Sequence, residues 1–345
     1  MTQSKLRMLS QHQETLEKCV YCPKLCRATC PVSNALPSES VTPWGKMSSA
    51  YFLARGDTPL EPEHAALAWA CTGCHACKSR CDHQNEVAAV LLDARAALST
   101  ERLAPEGAQR ALAIARERDR PVRRSQEGSV GLLVGCGYEK HLPDESAAAA
   151  RVVEKLLGAA PVPVSVCCGS AYRMAGDRAG FDRAADRFSK SVAGLSLLVV
   201  HDPGCARTLL ADYAKLDASL PQVKLLVDLA EEHLARFQPL AGAPQVRYHD
   251  PCQLGRGLGR YDGPRRLLER VLSQSPLEFD RRRAEADCSG AGGLLPLTYP
   301  EVSREAAKRR LAQHEELGGG PGLSACAGGG GSFRGREWGR VAAWR

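Results

Sequence analysis

Aromatic residues make up only 5% of these 345 residues, and no apolar run approaches the length of a membrane span, which takes roughly 18 residues. The first seventeen residues are polar and lack the apolar core of a secretory signal. A cytoplasmic location is therefore expected, with any association at the inner face of the cell membrane made through a partner. The net charge of +7 is spread among both signs. Without a basic stripe or interleaved aromatic positions, nucleic-acid binding is not expected. Arg281, Arg282 and Arg283, like Arg265 with Arg266, read as solvated faces. No flavin, nicotinamide or haem motif is present. Gly255, Gly257 and Gly259 have the wrong spacing for a dinucleotide loop.

What the sequence does have is cysteine, 15 in all. A cytosolic compartment keeps thiols reduced, and an odd number cannot all pair, so metal binding is the better account. Eight crowd between Cys19 and Cys81, and seven are spread from Cys136 to Cys326. The crowded ones form two groups: Cys19, Cys22, Cys26 and Cys30, then Cys71, Cys74, Cys77 and Cys81. The second group has the spacing of bacterial ferredoxins, in which three close cysteines face one cubane and the fourth ligates its neighbour. On that logic Cys19, Cys22, Cys26 and Cys81 hold one [4Fe–4S] cluster, and Cys71, Cys74, Cys77 and Cys30 hold the other. Two details depart from the pattern: three residues separate Cys22 from Cys26, and Asp82 stands where proline commonly follows. Paired Cys-x-x-Cys also suits zinc, which stays as the alternative. His75 and His83 lie among the cysteines and are left outside the ligand set.

The pattern before residue 110 is helical, with its clearest helix at residues 86–98, where Val87, Val90, Leu91, Ala94 and Leu98 recur at helical spacing. A charged helix and linker follow at 110–127. Beyond Gly128 short apolar strands alternate with helices, as in a parallel sheet. Strands are expected at 131–136, 162–166 (an edge, because of Pro163), 195–200 and 223–227, then at 245–248 and 323–326. Helices are expected at 145–157, 206–214, 229–237, 264–272 and 300–317. Gly328 to Gly331 read as a flexible turn. Cys136, Cys167 and Cys205 find counterparts in Cys252, Cys288 and Cys326, an internal duplication. The expected fold is an N-terminal α-helical ferredoxin domain at 16–125, followed by two duplicated α/β units with short parallel sheets at 128–240 and 243–335.

Cys167-Cys168-Gly169, Asp202-Pro203-Gly204-Cys205, and the second copy's Tyr248-His249-Asp250-Pro251-Cys252, Cys288-Ser289-Gly290-Ala291-Gly292-Gly293 and Ser324-Ala325-Cys326 carry a resemblance. With the cysteine-rich front, they resemble the heterodisulfide reductase family and its duplicated cysteine-rich domain. Relatives include the iron–sulfur subunits of glycolate oxidase and anaerobic glycerol-3-phosphate dehydrogenase. The resemblance implies an electron-transfer subunit working between an FAD-linked flavoprotein dehydrogenase and a quinone or disulfide acceptor. It also implies a second reading, a catalytic thiol–disulfide reductase with a non-cubane cluster on five cysteines per complete unit. Here Asp202, Ser289 and Gly329 stand at expected cysteine positions. That leaves Cys136, Cys167, Cys168 and Cys205 as a candidate third site for a cluster or zinc, and Cys252, Cys288 and Cys326 as a poorer, three-thiolate one. His249 and Asp250 read as fixing the loop around Cys252 by hydrogen bonding.

Overall fold

The computed structural model describes residues 6–119 and 128–333. Residues 120–127, part of the expected linker, lie outside them. The described chain divides into two compact units: residues 6–117, 171–181 and 284–310 form the first, and 118–119, 128–170, 182–283 and 311–333 the second.

The first unit has no strand among its described residues. Its central helix, Pro43–Arg55, starts where the Thr42 hydroxyl accepts the Gly45 N–H at 2.9 Å, with proline in the tolerated first turn. It stops at Gly56, whose φ of 80° is the left-handed cap that glycine adopts without strain. The helix expected at 86–98 runs over Val87–Thr100. Its Val90, Leu91, Ala94 and Leu98 are buried with Leu16, Met47, Leu53 and Trp69 in one core. A satellite cluster joins Cys30, Val32, Val41, Ala70, Leu295 and Val302. Cysteine loops thus hang directly on the apolar core.

The second unit contains both sheets. The strands β1 (Val130–Leu133), β2 (Val162–Pro163), β3 (Leu197–Val200) and β4 (Gln222–Leu225) form one parallel sheet in the order β2-β1-β3-β4. Proline-bearing β2 is at the edge, as its missing N–H requires. The Pro143–Leu157 and Leu226–Glu232 helices cover the sheet, burying Val153 and Leu229 against Leu132 and Val199. The second copy is shorter: β5 (Arg247–His249) pairs in parallel with β6 (Gly322–Ser324), supplemented by a single bridge from Arg247 to Leu277.

Three local readings change. A 15-residue helix, Arg178–Val192, occupies a stretch with no element assigned from the sequence. Its Phe181, Ala184, Ala185, Phe188 and Val192 are buried at helical spacing. The expected glycine turn is instead a helix, Ala327–Phe333. There packing overrides propensity: a Cβ at Gly329 would stand 2.9 Å from the Ser324 hydroxyl. Finally, Arg265 is not solvated but 7% exposed, held by Asp250 and Glu278 and lying over the Tyr248 ring.

Candidate cluster sites

Cys19 closes the Gln13–Val20 helix, Cys22 and Cys26 sit in the turns beyond it, and Cys81 returns from the second cysteine loop. These four line one cavity together with Trp44, Asn85 and Val87. Lys18, Lys24, Cys77 and His83 complete the lining. The structure therefore brings together the four thiols that the spacing groups. Asn85, which no sequence signal singles out, donates its side-chain amide to Cys19 Sγ at 3.1 Å and its backbone N–H to Cys81 Sγ at 3.5 Å. Such bonds to sulfur are one of the means by which a protein tunes a cluster. Burial pushes the Cys19 and Cys26 thiols up to about 11, so they become thiolates at neutral pH only with a cation to bind. The nearby surface cations are neutralised locally: Lys18 pairs with Glu14 at 2.6 Å, and Lys24 with Glu39 at 3.5 Å while lying over Trp44.

The second group is built differently. The loop that bears Cys71, Cys74 and Cys77 turns through left-handed Gly73 (φ 66°) and His75 (φ 59°), and the Gly73 N–H donates to Cys71 Sγ at 3.4 Å. Cys30 stands before Pro31, at the start of the Pro31–Ala35 helix. Lys46, 2% exposed, donates its ammonium to Ala70 O at 2.8 Å and to Cys30 Sγ at 3.6 Å. Burial pulls its pKa down, yet Cys30, Cys71 and Cys77 acting on it more than offset this and hold it above its ordinary value. Arg95, also 2% exposed, donates to four backbone carbonyls: Ala68 at 2.9 Å, Cys71 at 2.8 Å, Met174 at 2.9 Å and Gly293 at 3.1 Å. Tyr299 adds a hydroxyl bond to Ala66 O at 3.1 Å. The carbonyls of residues 66, 68, 70 and 71 are thus all engaged from behind by side chains. Glycines explain a further close approach: a Cβ at Gly292 or Gly293 would collide with the backbone of Cys71 and Thr72. His75 faces Glu86 at 3.7 Å, and its hydrogen bond, with Lys78 adding to it, lowers the Glu86 carboxyl to about 2.

This arrangement suits an anionic cubane. A buried cation needs a compensating negative charge, yet the groups that act on Lys46 are thiols and those on Arg95 are Cys71 and Tyr299, with no carboxylate among them. Four thiolates around an iron–sulfur core supply that charge.

In the second unit, cysteines gather where the parallel strands end, the edge at which open α/β sheets place their sites. Cys136 follows β1, and Asp202 and Cys205 follow β3. Cys168 and Cys205 sulfurs are 3.5 Å apart, and the Tyr213 hydroxyl fixes Cys168 O at 3.0 Å. Asp202 caps the Pro203–Arg207 helix, accepting the Gly204 and Cys205 N–H groups at 2.8 and 3.1 Å. Burial raises its carboxyl pKa despite these bonds and one from the Ala327 N–H. In the second copy Asp250 takes both guanidinium nitrogens of Arg265 at 2.8 Å and the Arg283 N–H at 2.8 Å, which anchors the turn before Cys252. His249 packs edge-on against Phe333. Cys252 and Cys326 belong to this unit, whereas Cys288 belongs to the first. Among the described residues no three His, Cys, Asp or Glu side chains converge closely enough to hold a single metal ion.

A helical unit with closely spaced cysteines and a unit of short parallel sheets carrying further cysteine loops define a class: iron–sulfur proteins. Known proteins agree with it. Residues 15–85 match the 4Fe-4S dicluster domain family, and residues 130–210 and 246–336 match the cysteine-rich domain family. The chain belongs to the heterodisulfide reductase-related iron–sulfur proteins, which join these two domain types. It is 26% identical over 330 residues to a subunit of the CoM/CoB fumarate reductase of Methanothermobacter marburgensis, covering 89% of this chain and 65% of that one. It is 27% identical over 207 residues to a subunit of the dihydromethanophenazine:CoB–CoM heterodisulfide reductase of Methanosarcina mazei, covering 55% of this chain and 49% of that one. A 70-residue stretch is 37% identical to lactate utilization protein A of Oceanobacillus iheyensis, covering 20% of this chain and 27% of that one. The chain thus spans less than two thirds of the length of each of these relatives. No helix among the described residues is long and apolar enough to cross a membrane.

Proposed function

We propose that this chain is an electron-transfer subunit with two [4Fe–4S] clusters, one on Cys19, Cys22, Cys26 and Cys81 and the other on Cys71, Cys74, Cys77 and Cys30. It relays electrons between an FAD-linked flavoprotein dehydrogenase and a quinone or disulfide acceptor. The observation that carries this reading is the pairing of a cavity lined by Cys19, Cys22, Cys26, Cys81 and Cys77 with two buried cations on which thiols and a phenol act, and no carboxylate. When bound, each cluster would take up and release one electron at a time. The chain's own residues hold the sulfurs: Asn85 bonds Cys19 and Cys81, and Lys46 bonds Cys30. Cys136, Cys167, Cys168 and Cys205 form the proposed third metal site. The modules at 16–125, 128–240 and 243–335 are the proposed units of descent. Iron and acid-labile sulfide counts on anaerobically purified protein test the reading. About eight irons per chain mean two cubanes and about twelve add a third cluster; zinc without sulfide refutes it.

A second reading has one specific observation in its favour. The Cys168 and Cys205 sulfurs, 3.5 Å apart at the sheet edge, suit a thiol–disulfide reductase site with a non-cubane cluster. That reading requires a paramagnetic signal on oxidation in the presence of a thiol, and ferredoxin-type signals on reduction alone leave the carrier.

A further inference from the structure

The two proposed clusters sit in unlike electrostatic surroundings, and Lys46 is the buried cation that bonds a sulfur of the second. Beside the first group the lysines are at the surface, each already paired with a glutamate, and such exposed pairs are screened and weak. Beside the second group Lys46 is buried with its ammonium 3.6 Å from Cys30 Sγ and facing Cys71 and Cys77. The ammonium's other bond goes to the neutral carbonyl of Ala70. None of the groups acting on it is a carboxylate, so its field acts on the sulfurs through a medium less screening than water. Adding an electron makes a cubane more negative, and a fixed positive charge stabilises that state over the oxidised one.

We infer that Lys46 is a positioning residue for electron flow: its buried ammonium raises the reduction potential of the cluster on Cys30, Cys71, Cys74 and Cys77. This rests on the two-cluster reading above. The electron comes from the reductant, no covalent bond forms or breaks, and Lys46 keeps its proton throughout. The second group becomes the site where an electron entering the chain settles. Arg95 assists from the far side of the same loop, but its guanidinium is committed to four carbonyls.

The test is a dithionite titration of the anaerobically purified full chain, with redox mediators and paramagnetic resonance detection. A Cys74→Ala variant, which removes the second cluster, assigns the signals. Lys46→Met should lower the midpoint of the second cluster by at least a tenfold change in its reduction equilibrium, about 59 mV for one electron. The first cluster should not move. Lys46→Arg, which keeps the charge, should stay within about threefold of the parent on the same scale. If Lys46→Met instead sheds the second cluster while Lys46→Arg retains it, the charge is again what matters. Met and Arg variants that behave alike, whether both unaffected or both stripped of the cluster, overturn the inference, because the residue then acts through shape alone. A parent protein without iron and sulfide overturns the cluster reading itself. A parent with about eight irons and a midpoint indifferent to Lys46 overturns only the role of Lys46.

Discussion

Around Cys30, Cys71 and Cys77 the buried charged side chains are cations, Lys46 and Arg95, whereas beside Cys168 and Cys205 stands the half-buried carboxyl of Asp202. Burial raises the thiols in both settings, but Lys46 works against the rise at Cys77, whereas Asp202 adds to it at Cys205. The hydrogen bond from Cys168 works to lower the Cys205 pKa, yet burial and then Asp202 still push it up to about 11. The helical unit is therefore arranged to accept an anionic group. In both units a bound metal must displace the protons of buried thiols such as Cys26 and Cys205, and only beside Cys205 does a carboxyl oppose the thiolate as well. The same element, cysteine, is used in two electrostatic registers within one chain.

Iron content gives the sharpest break. Cys74→Ala should lower it from about eight to about four atoms per chain, while Cys168→Ala should leave those eight in place. Equal losses from the two variants would erase the distinction. Next in size is Arg95→Met, which strands four carbonyls, two of them in buried and two in part-buried bonds. At about 1–3 kcal/mol for each unsatisfied group, a loss of roughly 4 kcal/mol or more is expected. The urea midpoint for bleaching of the cluster absorbance measures it.

The sheet unit should respond to acid. Burial holds His201, whose ring lies 4.0 Å from that of Tyr138, at about 4, below its usual 6.5. Since the unfolded chain takes up the proton first, stability is full above pH 6.5 and is lost as pH falls towards 4. The loss is at most about 3 kcal/mol, less to the extent that solvent reaches the half-buried ring. Thermal unfolding of metal-free protein between pH 7 and 4 (roughly the span of the shift) reads it, and His201→Asn should flatten the slope. The smallest effect concerns Asp202→Asn, which retains a capping oxygen and removes the charge. Stability should change by under about 1 kcal/mol, while alkylation of Cys205 in metal-free protein speeds up several-fold as its thiolate fraction rises. No change in that rate would remove Asp202 from the comparison.

The legible parts of the sequence were the local ones. Two-residue gaps between cysteines and the helical recurrence of Val87, Val90, Leu91, Ala94 and Leu98 depend on neighbours a turn or two away, so the thiols that line the cavity and the Val87–Thr100 helix could be read directly. The Arg178–Val192 helix was equally readable from Phe181, Ala184, Ala185, Phe188 and Val192, but its many charges hid the stripe. Lys46, Arg95 and Arg265 were not readable. Each is an ordinary helical cation in sequence, and its burial is decided by partners far along the chain. Lys46 meets a carbonyl 24 residues away, and Arg95 one that is 198 residues away. Arg265 meets Asp250 and Glu278, acids that nothing in the local pattern ties to it. Asn85 stayed silent for the same reason, because its sulfur partner Cys19 is 66 residues back.

The carbonyls of residues 66, 68, 70 and 71 are gripped by Tyr299, Arg95 and Lys46, so the loop leading into Cys71 has little freedom to relax when the charge beside it changes. Small relaxation means a low reorganisation energy. A relay built on such a braced segment is limited by the distance an electron must tunnel rather than by any motion of the polypeptide.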